Sequence, residues 1–301
     1  MALCERKNVM GNIQQLKALA KINLGLDVLG RREDGYHDVR MVMQTIYLYD
    51  NITIQRKETP GITLESNLYF LPNDEGNIAY KAAKMLMEEF DISDGVHITL
   101  DKHIPVAAGL AGGSSNAAAV LVGMNRMFSL GLTEKDLMER GVKLGADVPY
   151  CVMRGTVLAE GIGEKLTRLS PLPKCYILIA KPGISVSTRM VYEKLDALQI
   201  TDHPDIDGLL LGLENQDLGK IAGSMGNVLE QVTIDAYPVI EQIKDVMKEE
   251  GALNAMMSGS GPTVFGIFAD RQTAKKAQNR LKNLQIAKQV YLANVHNTKG
   301  R

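Results

Sequence analysis

The sequence predicts an α+β fold with two domains. At 301 residues the chain is too long for one small hydrophobic core. Its first patterned segment, residues 18–29, alternates apolar and polar side chains as a strand does. The second half, without its inserted helices, follows the order β-α-β-β-α-β of a split, ferredoxin-like unit. We therefore predict an N-terminal domain over residues 13–168 and a C-terminal ferredoxin-like domain over residues 169–301.

The composition argues against several classes of protein. A net charge of −1 provides no general attraction to nucleic acid or to a membrane surface. No apolar run approaches the length of a membrane span, and the first residues lack the apolar core of a signal peptide. The cysteines, Cys4, Cys151 and Cys175, form no C-x-x-C pair, which favours a reducing compartment over a disulfide or a zinc site. We expect a cytoplasmic protein with neither nucleic acid nor membrane as a partner.

The first strand has one apolar and one polar face. Alternate residues from Ala20 to Val28 are apolar, whereas Lys21, Asn23 and Asp27 fall on the opposite face. We predict a half-buried strand with a polar face. The residues that precede it, about the first dozen, show no pattern, and we expect them to form a flexible extension.

The rest of the chain alternates between strands and helices. Further strands are predicted over residues 39–57, 61–66, 95–105, 175–182, 252–259, 263–269 and 288–295. Helices are predicted over residues 77–90, 114–128, 133–145 and 271–284, with Asn77 and Thr133 as N-caps. The segment 146–169 is predicted to begin as a short helix near Asp147 and to become strands. Helical segments are predicted between residue 183 and Glu250.

One glycine-rich segment connects a strand to a helix. It reads IPVAAGLAGGSSNAAA from Ile104, with Gly109, Gly112 and Gly113 ahead of two serines. Glycines let successive backbone N–H groups turn toward an anion, and a helix start adds unpaired donors. The segment lacks the G-K-[ST] ending of a Walker loop and the strict dinucleotide fingerprint. A tight connection of small residues explains the composition equally well, and the residues alone leave both interpretations open.

Other candidate residues have ordinary explanations as well. The turn MSGSGPTVFG, residues 257–266, is a second glycine-rich loop or a plain hairpin. Asp147 is a helix N-cap or a base that accepts a proton from a hydroxyl. Lys21 is a solvated lysine or a group that pairs with phosphate. Tyr36 and His37 stack on a planar ligand or cover the edge of the core, and the histidine spacing suits no metal site.

Six segments together resemble the GHMP kinase superfamily, named for galactokinase and for homoserine, mevalonate and phosphomevalonate kinases. They run in the family's order over most of the chain: AKINLGLDVLGRREDGYHDVRMVMQTI, PVAAGLAGGSSNAAA, GADVPYCV, GIGEKL, KPGISVSTRMVYEKL and MSGSGPTVFGIF. The glycine–serine loop and SGSGPT mark the superfamily, whereas AKINL with DGYH and GADVP indicates the branch whose substrate carries a cytidine diphosphate. This resemblance implies an ATP-binding N-terminal domain like ribosomal protein S5 and a ferredoxin-like C-terminal domain.

The resemblance also implies roles for individual residues. Lys21 and Asp147 match the catalytic pair of the family. Residues near the adenine are matched by Asn77 and Lys102, and Ser114 is the one protein ligand considered for magnesium. The loop that wraps the ATP phosphates is matched by Pro105, Val106, Ala107, Ala108, Gly109, Leu110, Ala111, Gly112, Gly113, Ser114 and Ser115. Substrate-binding positions are matched by Asn23, Tyr36, His37, Thr188 and Tyr192. In the family His37 would contact the cytosine and Tyr192 would stack on that base.

The activity implied is phosphorylation by ATP and Mg²⁺ of the 2-hydroxyl of 4-diphosphocytidyl-2-C-methyl-D-erythritol, in the non-mevalonate route to isoprenoid precursors. Direct in-line transfer would need positioning and charge neutralisation more than covalent chemistry. The alternatives are a GHMP kinase for another small alcohol, such as homoserine or mevalonate, and a kinase-like binding module without catalysis. A dinucleotide-dependent oxidoreductase fits less well because the fingerprint is missing. We expect a monomer or a weak homodimer.

Overall fold

A computed structural model describes residues 11–198, 200 and 202–298. The strands within these residues are Ile13–Arg31 (β1), His37–Lys57 (β2), Ile62–Ser66 (β3), Gly95–Asp101 (β4), Thr156–Gly161 (β5), Lys165–Arg168 (β6), Tyr176–Lys181 (β7), Gly226–Asn227 (β8), Asn254–Met257 (β9), Val264–Phe268 (β10) and Gln289–Asn294 (β11). The helices are Ile78–Glu89 (α1), Gly112–Met127 (α2), Glu134–Val142 (α3), Val148–Met153 (α4), Thr188–Leu195 (α5), Ile206–Glu214 (α6), Leu218–Ser224 (α7), Glu230–Ala236 (α8), Val239–Glu249 (α9) and Arg271–Leu284 (α10).

The predicted elements are confirmed with small shifts of their ends. The ten N-terminal residues, most of the extension expected from the sequence, lie outside the described residues, as does Cys4. Contacts group the described chain into two compact units. The first unit comprises residues 11–19, 49–104 and 112–153, and the second comprises residues 20–48, 105–111 and the described part of 154–298. The domain boundary between residues 168 and 169 stays a prediction.

The first unit combines a small sheet with four helices, of which α3 and α4 pack on α2 and on each other. In it, β3 runs parallel to β4, and β4 runs antiparallel to the second half of β2. Helix α2 lies so close to β2 that a Cβ added at Gly123 would come within 2.5 Å of the Ile54 side chain. The two predicted N-caps are confirmed, since Asn77 accepts a hydrogen bond from Ala79 N and Thr133 forms a capping box with Asp136. Helix α2 begins at Gly112, two residues earlier than predicted.

The second unit contains the later part of β1, and here the predicted half-buried strand is wrong. Strand β1 lies between β2 and β8 in the sheet, and its residues from Ala20 to Val28 are buried on both faces. The polar side chains are buried because each has a partner inside the unit: Lys21 donates to Asn23, and Asp27 pairs with His203.

The other sheet of the second unit confirms the predicted β-α-β-β-α-β order. Its four strands are arranged β11-β7-β10-β9, and each neighbouring pair is antiparallel. Helices α9 and α10 pack on this sheet. The two-residue strand β8, which pairs in parallel with β1, was not predicted because two residues show no alternation. No helix within the described residues is long and apolar enough to cross a membrane.

Candidate active site

The second unit fastens Lys21 to the first glycine-rich loop. The Lys21 side chain is buried, and its ammonium donates a hydrogen bond to Asn23 Oδ1 at 2.7 Å. The two side chains meet because residues two apart on a strand share a face. The backbone N–H of Lys21 also donates to the carbonyl of Leu110 at 3.2 Å. The candidate catalytic lysine and the loop 105–111 are therefore held by the same strand.

The loop itself is tightly curled. Ala107, Gly109 and Ala111 all have positive φ, at 49°, 70° and 56°. Such values are costly for alanine and free for glycine, and they turn successive peptide groups in different directions. A Cβ at Gly109 would lie 2.2 Å from the carbonyl oxygen of Ser258. Close packing is therefore what requires this glycine, and a role of the loop as an anion cradle stays a prediction.

The partner in this packing is the second glycine-rich turn, between β9 and β10. Ser258 Oγ donates to the Gly109 carbonyl at 3.0 Å. A Cβ added at Gly259 would lie 3.6 Å from Asn23 Oδ1. Asn227 stabilises the turn, since its amide donates to the carbonyls of Met257 and Gly259 at 2.9 and 2.8 Å. Nothing in the sequence pattern around Asn227 indicated this role.

The predicted substrate residues of the second unit fall into two groups. His37 and Tyr192 are in contact, with ring centroids 4.7 Å apart, while Tyr36 is 61% exposed. His37 Nε2 lies 2.7 Å from Asp196 Oδ1, a neighbour that the sequence did not indicate. Thr188 lies one helical turn before Tyr192 on α5 and shares a hydrogen bond with Ser260 of the second glycine-rich turn at 2.8 Å.

The turn that carries Tyr36 is fixed by its own residues. Arg32 N–H donates to the Tyr36 carbonyl at 2.8 Å, and Tyr36 N–H donates to Asp34 Oδ1 at 3.0 Å. Gly35 has a φ of 85°, which suits the predicted Asp-Gly turn. The exposed tyrosine ring is therefore presented from a rigid turn.

In the first unit, several predicted positions gather at the start of α2. Gly112 and Gly113 lie in its first turn, whose N–H groups have no partner within the helix. A Cβ at Gly113 would lie 3.4 Å from Ile78, the residue after the Asn77 cap, so the start of α1 adjoins the start of α2. A Cβ at Gly145 would lie 4.0 Å from Ser114 Oγ, which brings the G-A-D-V segment to the same end of α2.

Other predicted positions of this unit have structural partners. Ser115 Oγ donates to the Leu19 carbonyl at 2.7 Å. Asp147 immediately precedes α4, and its carbonyl accepts from Cys151 N–H at 3.0 Å, as an N-cap residue does. Its role as a base stays a prediction. Within the described chain, no group of three or more histidine, cysteine, aspartate or glutamate side chains is arranged to hold a metal.

Lys102 belongs to a buried network that sequence reasoning missed. Its ammonium donates to Asp50 Oδ2 at 2.5 Å and to Asn116 Oδ1 at 2.7 Å. The other oxygen of Asp50 accepts from the N–H groups of His103 and Ile104 at 2.7 and 2.8 Å. Asp50 therefore fixes both the lysine and the chain that enters the glycine loop. In the sequence it only ends an apolar run, which gives no sign of this function.

We predict that Asp50→Ala destabilises the protein strongly. The substitution leaves the Lys102 ammonium buried without its carboxylate, a change that typically costs about 3–5 kcal/mol. Asp94→Ala is the matched control, since Asp94 forms a partly exposed ion pair with Arg56 in the same unit and should cost about 0–1 kcal/mol. Urea unfolding of both variants measures the difference, and equal losses would contradict the role assigned to Asp50.

Comparison with known proteins places the chain in a family. It matches the GHMP kinases N terminal domain over residues 77–155 and the GHMP kinases C terminal domain over residues 209–286. It is 57% identical to a 4-diphosphocytidyl-2-C-methyl-D-erythritol kinase of Lachnospira eligens, over 92% of this chain and 96% of that one. A protein of the same name from Lachnoclostridium phytofermentans is 54% identical over 96% of this chain and 99% of that one.

Solved structures have the same fold. A crystal structure of 4-(cytidine 5'-diphospho)-2C-methyl-D-erythritol kinase superposes with a TM-score of 0.80 at 29% identity, covering 95% of this chain and all of the other. A homoserine kinase from Cytophaga hutchinsonii reaches 0.79 at 21% identity, covering 97% and 98% of the two chains, and supports the fold alone. With identities above 50% over nearly its whole length, the chain belongs to the 4-diphosphocytidyl-2-C-methyl-D-erythritol kinase family of the GHMP kinases.

Proposed function

We propose that this chain transfers the γ-phosphoryl group of ATP to the 2-hydroxyl of 4-diphosphocytidyl-2-C-methyl-D-erythritol, a step in the non-mevalonate synthesis of isoprenoid precursors. The observation that carries the proposal is the buried Lys21, whose ammonium is held by Asn23 and whose backbone is bonded to the glycine loop. The names of the relatives above support the choice of substrate.

In this proposal Asp147 accepts the proton of the attacking hydroxyl. The Lys21 ammonium stabilises the negative charge on the reacting groups. A carboxylate accepts protons, and a positioned general base typically contributes about 10²–10⁴-fold to a rate. Phosphoryl transfer otherwise depends on alignment and on stabilisation of charge. A buried, hydrogen-bonded lysine suits the second task, because its ammonium is already oriented and partly freed of water.

ATP would be held by residues 105–115, which comprise the loop 105–111 and the first turn of α2. The free N–H groups of that turn and the positive end of the helix dipole favour phosphate. Asn77, next to the same helix start, and Lys102 are proposed to lie near the adenine. The Lys102 ammonium already donates to Asp50 and Asn116. We therefore propose no contact between this ammonium and ATP.

Magnesium fits this site only as a partner of the phosphates. The described residues contain no group of three acidic, histidine or cysteine side chains, and the Ser114 hydroxyl is a single hard oxygen donor beside the G-A-D-V segment. Mg²⁺ commonly keeps several waters and is shared between substrate phosphates and few protein oxygens. When bound, it would neutralise charge on the β- and γ-phosphates, with Ser114 as its protein ligand.

The cytidine diphosphate substrate would contact Asn23, Tyr36, His37, Thr188 and Tyr192. The exposed Tyr36 ring and the His37–Tyr192 pair offer flat surfaces to a base, while Asn23 and Thr188 offer polar groups beside the glycine-rich turns. We further propose that the protein acts in the cytoplasm as a monomer or weak homodimer, since the charge and cysteine pattern favour that compartment.

An ATP-consumption assay tests the proposal directly. The protein should consume ATP with 4-diphosphocytidyl-2-C-methyl-D-erythritol and give only background rates with homoserine or mevalonate. The cytidine substrate can contact the rings of Tyr36, His37 and Tyr192, whereas the smaller alcohols cannot. A preference for either small alcohol would overturn the choice of substrate, and no ATP consumption with any of the three would overturn the kinase activity.

Asp147→Asn should reduce turnover at least about 10²-fold while leaving the fold intact, because an amide cannot accept the proton. Asp136→Asn serves as the control, since it weakens the capping box of α3 and touches no residue proposed for catalysis. Steady-state kinetics and circular dichroism of both variants measure the effect. Near-normal turnover in Asp147→Asn would rule out this residue as the base.

Gly109→Ala should lower kcat/KM for ATP by about 10²-fold, because a Cβ 2.2 Å from the Ser258 carbonyl forces the loop to move and a displacement of about 1 Å has that effect on a reacting site. Gly131→Ala is a matched control. Gly131 has almost the same φ, 71° against 70°, but open space around the added Cβ. If both variants retain wild-type affinity for ATP, the loop does not hold the nucleotide.

A further inference from the structure

The resemblance implies that His37 contacts the cytosine base. We propose that Asp196 fixes the tautomer of His37, so that Nδ1 is held as an acceptor, which suits the amino group of cytosine and not the carbonyl of uracil. This inference rests on the proposed function and adds a residue that determines base specificity. Asp196 acts through His37 and is therefore a positioning residue.

Tyr192 in the last turn of α5 and Asp196 at its C-terminal end both contact the His37 side chain. Asp196 Oδ1 lies 2.7 Å from His37 Nε2, and Tyr192, one helical turn earlier, contacts the same ring at 4.7 Å between centroids. The second oxygen of Asp196 lies 3.4 Å from a terminal nitrogen of Arg31. The imidazole ring is thus held at its edge by a carboxylate and contacts an aromatic ring tilted by 40°, while Arg31 balances the charge.

The hydrogen-bond chemistry of this pair determines where the proton lies. An ionised carboxylate has only acceptor atoms, so the hydrogen bond requires a proton on His37 Nε2. A neutral imidazole protonated at Nε2 has a lone pair at Nδ1. Among the described residues, none forms a hydrogen bond with His37 Nδ1, and this atom is not among the fully buried atoms that lack a partner. That atom is therefore an acceptor available to a ligand.

An acceptor at this place distinguishes the two pyrimidine bases. Cytosine carries an amino group at C4, which donates a hydrogen bond, whereas uracil carries a carbonyl oxygen, which accepts one. Uracil would place two lone pairs against each other and leave both groups unsatisfied. An unmade hydrogen bond of this kind reduces binding by roughly 10–10²-fold, corresponding to about 1–3 kcal/mol.

A surface ion pair is the ordinary explanation of a histidine beside an aspartate, and the burial argues against it. The His37 side chain is 11% exposed, whereas that of His103, which pairs with Asp101, is 51% exposed. His37, Arg31 and Asp196 also line a cavity of about 260 Å³ together with apolar residues such as Leu29 and Leu195. The pair therefore borders a space that a small ligand can enter, and its histidine is oriented more firmly than a surface residue.

The test changes the tautomer with little change of shape. In Asp196→Asn the amide nitrogen can donate to Nε2, which moves the imidazole proton to Nδ1 and turns the acceptor into a donor. We expect the ratio of kcat/KM for the cytidine substrate to that for its uridine analogue to fall at least about tenfold. The KM for the cytidine substrate should rise and the KM for ATP should stay unchanged. An unchanged ratio would overturn the proposal.

Glu65→Gln is the matched control, because Glu65 lies 3.3 Å from His97 Nε2 in another carboxylate–histidine pair. It should leave the base preference and both KM values as they are. A fall in the ratio equal to that of Asp196→Asn would mean that the loss of any such pair has the same effect, and it would also overturn the proposal.

Two measurements are independent of turnover and separate this inference from the proposed function. Nitrogen chemical shifts of the histidine rings should show His37 protonated at Nε2 in the wild type and at Nδ1 in Asp196→Asn. Titration with CMP and UMP should show preference for CMP in the wild type only. If the wild type binds CMP selectively but phosphorylates nothing, the proposed activity fails and the inference stands. If His37 is protonated at Nδ1 in the wild type, the inference fails whatever the activity.

Discussion

The ammonium of Lys21 lies inside the second unit, and burial of a charge costs free energy unless hydrogen bonds replace the lost water. Asn23 supplies one of these bonds, and it can do so only because both residues lie on one face of β1. The same strand bonds to the glycine loop through the backbone of Lys21. The position of the candidate catalytic lysine therefore depends on the central place of β1 between β2 and β8.

The glycine-rich loop and the glycine-rich turn depend on each other in a similar way. Gly109 and Ser258 approach so closely that no side chain fits at position 109. Asn227 of β8 holds the glycine-rich turn through hydrogen bonds to its backbone. Close backbone contacts therefore determine the shape of the site. The absence of a Cβ at position 109 matters more for this shape than any single side chain at the surface of the loop. This explains why small residues dominate both segments.

Buried charge pairs and exposed ones contribute differently here. Asp50 and Lys102 are almost fully buried, and the carboxylate accepts four hydrogen bonds from Lys102, Asn116, His103 and Ile104. Pairs such as Arg56–Asp94 remain partly exposed and are screened by water. A buried pair defines geometry because its groups have no alternative partner, which is why this network can fix the entry to the loop.

The elements and several site positions could be predicted from local patterns. Helices α1 and α3 have their caps where Asn77 and Thr133 stand, and the β-α-β-β-α-β order of the second half follows from periodicity. The motifs around Lys21 and Gly109 were sufficient to identify the superfamily. The burial of the polar face of β1 could not be predicted, because it depends on strands β2 and β8 that lie elsewhere in the sequence.

The sequence by itself therefore determined the fold class, the family resemblance and the residues that carry it, since these depend on short-range spacing and residue type. Only the tertiary structure decided which polar residues support them. Asp50, Asn227 and Asp196 act on groups 30 to 159 positions away. Neither composition nor periodicity records such pairings, because hydrogen bonds between distant segments form only once the chain has brought them together.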